Sequence, residues 1–199
     1  MLELIGRSNS INVRKVLWLL QELGLSYQHH EHYNALESLN PNRLVPVLRD
    51  GTFVLWESNA ICRYLASRYA RHDLLPLAPG ERAVVEQWMD WQAGELNNSW
   101  RYAFMGLVRQ SPAHQDPKAI AASIDNWNRH MGMLEKQLAH AGPFVLGKQF
   151  SLADIVLGLS THRWFFAPIT RPELPHLAAY YDLLAQRPGY QRHGRNNIP

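Results

Sequence analysis

Asn40-Pro41-Asn42-Arg43-Leu44-Val45-Pro46-Val47-Leu48-Arg49-Asp50-Gly51-Thr52-Phe53-Val54-Leu55-Trp56-Glu57-Ser58-Asn59-Ala60-Ile61 is the stretch on which the fold turns. Residues 45–48 and 53–55 are short apolar runs, and Asp50-Gly51 between them is a hairpin signal. Pro46 opens the first run, where a missing N–H is tolerated. From Ser58 the period lengthens, and Ile61, Tyr64 and Leu65 share one face of a helix. Working toward the start, residues 25–32 are a strand candidate, preceded by Gly24 as a helix stop. Val13, Val16, Leu17, Leu20 and Leu23 recur at helical spacing, and residues 2–5 form a first strand before the polar loop 6–10. Residues 1–75 thus read strand, helix, strand, short helix, strand, strand, helix, an α/β unit with a small mixed sheet.

Working toward the end, Pro76, Pro79 and Gly80 mark a boundary within residues 72–80. Residues 81–199 then read as all-helical. A long helix is expected from Glu81 to about Val108, broken by Ser111-Pro112. A second carries Ile120, Ile124, Trp127, Met131, Leu134 and Leu138 on one stripe up to Gly142-Pro143. Ser151-Leu152-Ala153-Asp154 has the form of a capping box, with Asp in place of Glu, opening a helix through Phe166. A last helix spans 177–184, before Pro188-Gly189.

The composition narrows the function. The chain has 199 residues, 46% hydrophobic and 19% charged, as in an ordinary globular protein. No apolar run is long enough to span a bilayer, so no membrane role is expected. The acid at Glu3 and the absence of a basic run before it argue against a signal peptide. One cysteine, Cys62, makes no internal disulfide and suits a reducing cytoplasm. The net charge of +3 comes from Arg187, Arg192 and Arg195 after the last acid, Asp182. That is a solvated tail rather than a basic stripe, so no nucleic-acid partner is expected. His29, His30, Glu31 and His32 alternate between strand faces, which suits an exposed edge better than a metal. No metal site is expected.

Three clusters could carry chemistry, and each has a plainer reading. Ser8-Asn9-Ser10-Ile11-Asn12 feeds a helix N-terminus, which attracts anions through free N–H groups and the macrodipole. Ser10 or Asn12 would equally serve as a simple cap. Around Pro46, Val45 could offer its backbone to an extended peptide, and a turn proline at a strand start is the plainer account. Glu57-Ser58 at another helix start suits an α-amino acid head group, carboxylate to N–H and hydroxyl, ammonium to Glu57. The alternative is again a cap with a favourable charge.

In order and spacing these clusters, with Tyr64-Leu65 and the Phe150-Ser151-Leu152-Ala153-Asp154-Ile155 box, resemble the cytosolic glutathione transferases over essentially the whole chain. The resemblance implies a thioredoxin-like glutathione-binding domain at 1–75 and an all-α domain at 81–199 holding the electrophile site and dimer contacts. It implies a cytoplasmic homodimer active in detoxification, with glutathione as co-substrate, no cofactor, and a small hydrophobic electrophile. Val45 and Pro46 would pair with the cysteinyl part of glutathione, Glu57 and Ser58 would hold its γ-glutamyl head, and Arg43 would meet its glycyl carboxylate. The entrance loop holds no Tyr and no Cys, so by the resemblance Ser10 leads as thiolate donor, with Asn12 second and Ser8 as the fallback. Arg101, Phe104, Met105 and Trp164 are the expected electrophile contacts, together with Trp100, Val108 and Phe165. A glutathione-dependent disulfide or peroxide reductase, or a non-catalytic binding protein of the same fold, are the alternatives.

Overall fold

The computed structural model describes residues 1–199. Four strands, β1 (Leu2–Ile5), β2 (Tyr27–His30), β3 (Val47–Asp50) and β4 (Phe53–Trp56), form one sheet in the order β2-β1-β3-β4. The β1–β2 pair is parallel and the others antiparallel, with Leu4 between His29 and Leu48. A crossover is what a parallel pair needs, and the helix α1 (Ile11–Glu22) supplies it. Gly51 turns the β3–β4 hairpin at φ +62°, a conformation that suits glycine. Helix α2 (Ser58–Arg68) packs beside α1. The short helix expected between β2 and β3 is a single 3₁₀ turn, Leu36–Ser38.

The helical half contains α3 (Pro79–Trp91), α4 (Asn97–Leu107), α5 (Pro117–Ala141), α6 (Leu152–Phe166), α7 (Pro175–Leu184) and α8 (Pro188–His193). Two of these depart from the sequence reading. The long helix expected over 81–108 is interrupted by a π-helical segment, Gln92–Leu96, between α3 and α4. Its widened turn lets Gln92 point inward, where its amide donates to Ser160 Oγ (3.0 Å) and Asn97 Oδ1 (2.9 Å). Helix α8 was hidden because Pro188 reads as a stop. It occupies the first turn of a new helix, where its missing N–H costs nothing.

Helix α6 is the axis of the molecule, and residues 152–164 are all buried. Its start is pinned by Asp154, whose carboxylate accepts from Ser151 N–H (2.8 Å), Ser151 O–H (3.1 Å), Val145 N–H (2.9 Å) and Tyr180 O–H (3.1 Å). The core runs continuously from the sheet into the helices: Trp18 of α1 packs at a tilt against Tyr190 (4.8 Å) and Phe150 (5.6 Å). Trp127 is buried in this core, and Trp88 and Trp91 meet edge to face at its margin. Cys62 is buried as well, and burial pushes its thiol up to about 12, which makes it inert.

Candidate active site

The entrance loop of α1 is shaped by its neighbours. Gly6 has φ +141°, and a Cβ there would fall 2.8 Å from Val45 Cβ, so only glycine lets the loop lie against Val45. The end of β2 braces the same loop. The ring of His29 donates to Gly6 O (2.7 Å), and Glu31 accepts the Ser8 N–H at 3.2 Å from both oxygens. His29 and Glu31 therefore have a structural task, and His30 pairs with Glu3 on the sheet.

This arrangement separates the two serines. Ser8 is exposed and tied to Glu31, whose carboxyl is held below its ordinary range chiefly by the Ser8 side chain. Ser10 is the N-cap residue of α1, yet its hydroxyl makes no capping bond. The first helical bond is Arg14 N–H to Ser10 O (2.9 Å), so the amides of Ile11, Asn12 and Val13 stand free of the helix ladder. Asn12 Oδ1 accepts a long bond from Ser58 Oγ (3.4 Å), joining the starts of α1 and α2.

At the start of α2, Glu57 takes the N-cap position at φ +72° and ψ +112°. Ser58 is the first helical residue rather than the cap, and it is buried. Between β2 and β3, Asn40 is buried and organises the loop. Its side-chain amide donates to Leu44 O (2.8 Å) and its carbonyl accepts from Asn42 N–H (3.0 Å). This delivers a cis Val45–Pro46 bond, with the Val45 N–H and C=O making no hydrogen bond within the chain. Arg43 sits just before it, exposed, at φ +54°.

Two hollows meet at Asn12, Ala93 and Asn97 and form one trough. One, of about 390 Å³, is lined by Glu57, Ser58 and Asn59 with Arg63 and Asp90, which pair with each other. The other, of about 470 Å³, lies between Ser10 and α4, with Arg101, Phe104, Met105 and Arg163 on its walls. Beneath the join is a buried polar network. Lys15 Nζ donates to Gln92 Oε1 (2.8 Å) and Asn59 Oδ1 (3.4 Å), and Asn59 donates to Met89 O (2.9 Å). Burial lowers the Lys15 ammonium to about 8.

The trough collects Ser10, Asn12, Glu57 and Ser58, together with Arg101, Phe104 and Met105. Trp100 lines it as well, whereas Arg43, Val45, Pro46, Val108 and Phe165 do not, and neither does Trp164. Trp164 points away, donates through its indole N–H to Asn128 Oδ1 (2.9 Å), and lines a separate hollow with Phe165 and Arg171. A one-residue step along α6 turns the side chain by about 100°, so the residue that faces the trough is its neighbour Arg163. Sequence reasoning missed Arg163, although a polar Thr161-His162-Arg163 run inside an otherwise apolar helix was a usable signal.

Comparison with known proteins bears on this geometry. Residues 9–68 match the family model described as glutathione S-transferase, N-terminal domain, and residues 117–183 match glutathione S-transferase, C-terminal domain. The chain belongs to the glutathione S-transferase family. It is 38% identical to glutathione S-transferase GstB of Escherichia coli strain K12, over 96% of this chain and 97% of that protein. It is 31% identical to glutathione S-transferase 3 of Zea mays, over 96% and 92% of the two chains. Among solved structures, a theta class glutathione S-transferase from Xanthomonas axonopodis pv. citri with glutathione bound superposes at a TM-score of 0.90. The two share 42% sequence identity, with 100% of this transferase and 99% of that chain covered. No helix of this transferase is long and apolar enough to cross a membrane.

Proposed function

We propose that this glutathione transferase binds its co-substrate along the trough and directs the thiolate at an electrophilic carbon of a hydrophobic second substrate. The reading rests on one observation. The Ser10 hydroxyl and the amides of residues 11–13 are unspent and adjoin a hollow walled by Phe104 and Met105, beside a second helix start at Glu57-Ser58.

Each part of glutathione has a matching partner in this reading. The γ-glutamyl ammonium pairs with Glu57, and its carboxylate takes the Ser58 hydroxyl and the free amides of α2. The cysteinyl backbone forms a short strand-like pairing with the Val45 N–H and C=O. Arg43 reaches the glycyl carboxylate. The thiol then lies before Ser10 and the N-terminus of α1, with Asn12 as a second donor, and its proton leaves to solvent. No covalent bond to the enzyme forms. The contribution of the protein is placement and stabilisation of the anion. The reaction asks for glutathione as co-substrate and no other group.

The units at 1–75 and 81–199 divide the work, the first holding glutathione and the second the electrophile. A homodimer is part of the reading. The exposed Val84 with the half-buried Trp88 and Trp91 on α3, and Phe53 on the sheet edge, are apolar faces suited to a second copy. A reducing cytoplasm suits a protein whose single cysteine is a buried thiol.

Calorimetric titration at neutral pH tests the reading, first with glutathione and then with its disulfide, followed by turnover of an aryl halide. Preferential binding of the thiol form and measurable turnover are expected. Tighter binding of the disulfide would mean a reductase, and binding of neither would overturn the reading.

A further inference from the structure

The chain buries two arginines that pair with no Asp or Glu; both reach Pro199 O at a long 3.4 Å, and otherwise they are treated very differently. Arg14 donates to His193 O (2.6 Å), Gly194 O (2.6 Å), Ile198 O (2.7 Å) and Asn196 Oδ1 (3.1 Å). Arg163 is buried as well, but its only acceptor is Pro199 O at a long 3.4 Å, and its Nε–H has none. Its guanidinium lies over the rings of Phe104 (4.2 Å) and Trp100 (4.6 Å). Two ring faces answer part of the charge, yet they accept few of its five N–H groups. A buried, underpaired cation is costly, and it persists where something else completes it.

The surroundings say what would complete it. Arg163 lines the hollow beside Ser10, with Arg101 and Arg109 at the rim. Neither rim arginine has an ion pair, and Arg109 lies over the Phe104 ring at 5.6 Å. No Asp or Glu lines this hollow. Burial lowers Arg163 to about 9, and the charges that act on it, Arg14 and Arg109, are both cations. The glutamyl end of the trough is different, since Glu57 and Asp90 balance Lys15 and Arg63 there.

We infer that the second substrate of this transferase carries a carboxylate or equivalent oxyanion next to its hydrophobic body. The anion sits on the Arg163 guanidinium, the body lies against Phe104 and Met105, and Arg101 and Arg109 draw it in. A planar fork of donors matches a carboxylate bidentately. The inference rests on the glutathione-conjugating reading and narrows its electrophile class.

The test uses the intact protein with saturating glutathione and two aryl chlorides of nearly equal shape, 4-chloro-3-nitrobenzoate and 4-chloro-3-nitrobenzamide. In both, the thiolate forms a C–S bond at the chlorinated carbon and chloride leaves with the bonding electrons. Each kcat/KM is divided by the uncatalysed rate constant, so that ring reactivity cancels. The wild type should favour the benzoate, and Arg163→Met should shrink that preference about 10-fold or more. Arg163→Lys should retain part of it. Should Arg163→Met fail to fold, the exposed pair Arg101→Gln and Arg109→Gln gives a second readout. The benzoate KM of the wild type should rise with salt, and that rise should flatten in the double variant, because exposed charges are screened.

An unchanged preference in Arg163→Met overturns the inference. So does an equal loss on both substrates with a raised pKa of the bound thiol, which would make Arg163 a thiolate stabiliser. A raised KM for glutathione alone would place the anion on the co-substrate and overturn it too. Absence of glutathione binding or of turnover with either chloride would instead sink the underlying reading.

Discussion

Replacing Ser10 by Ala separates a capping serine from a thiolate donor, because the two roles predict opposite outcomes. A free thiol has a pKa of about 8.5, and a tenfold change in its acidity corresponds to about 1.4 kcal/mol. A hydrogen bond to an anion contributes about 1.5–3 kcal/mol, and the half-buried position of Ser10 favours the lower part of that range. Losing about 1.5–2 kcal/mol raises the pKa of the bound thiol by about 1–1.5. Below both pKa values the thiolate fraction, and kcat/KM with it, falls about 10- to 30-fold. At higher pH the gap closes. The α1 amides keep part of the effect, so the thiol of the variant stays below its value in water. Stability should barely move, within about 0.5 kcal/mol, since the Ser10 hydroxyl makes no capping bond. A capping serine would cost about 1 kcal/mol and leave the thiol alone. The assays are the ultraviolet thiolate absorbance of bound glutathione against pH, the pH profile of kcat/KM, and the urea midpoint. Ser8→Ala is the control and should leave the thiol pKa in place, because Ser8 faces Glu31. An unchanged thiol pKa in Ser10→Ala would refute the reasoning.

Asp154→Ala should lower stability by at least about 3 kcal/mol in urea, because it strands the Val145 and Ser151 amides and the Tyr180 hydroxyl in the core. A loss under about 1 kcal/mol would mean the box at α6 is ornamental. Gly6→Ala should raise the KM for glutathione and cost about 1–3 kcal/mol, since its Cβ would collide with Val45. An unchanged KM would detach Val45 from the co-substrate. Burial holds His162 and His193 down to about 4, so both are neutral at pH 7, and the His162 ring donates to Ile198 O and accepts from Tyr181 O–H (2.9 Å each). Unfolded histidines take up protons near pH 6.5, so stability present above that value is lost as pH falls toward 4. Asp154, raised to about 6 by burial, works in the opposite direction over the same range. Comparing His162→Gln with the wild type cancels it, and the variant should lose less stability between pH 6.5 and 4 than the wild type does.

The alternation of short period and long period around Asp50-Gly51 was legible, because a hairpin and the helix after it are local events. The capping box at α6 was legible for the same reason, its two ends lying three residues apart. What stayed hidden depends on partners far away in the chain. Gln92 widens a helix turn to reach Lys15 and Ser160, and nothing in the spacing of residues 81–108 records that pull. Pro188 looks like an end until Trp18 packs on Tyr190 and gives α8 a reason to exist. Trp164 drew attention as an aromatic, while its position on α6 turns it toward Asn128 on α5, to which its indole N–H donates. The resemblance puts Ser10 ahead of Ser8 without a physical reason in the loop itself; Glu31, brought across by the parallel β1–β2 pairing, ties the Ser8 amide, while the Ser10 hydroxyl makes no capping bond.

The grip of Arg14 on the carbonyls of residues 193–198 has a consequence in time. Its partner Gly194 lies 180 positions later in the chain. On a ribosome α1, which Ser10 precedes, is made well before the segment that anchors its guanidinium. Until residues 193–198 emerge, a nascent α1 holds a charge with nowhere to bury it, and the start of that helix is completed only after α7 and α8 have been made.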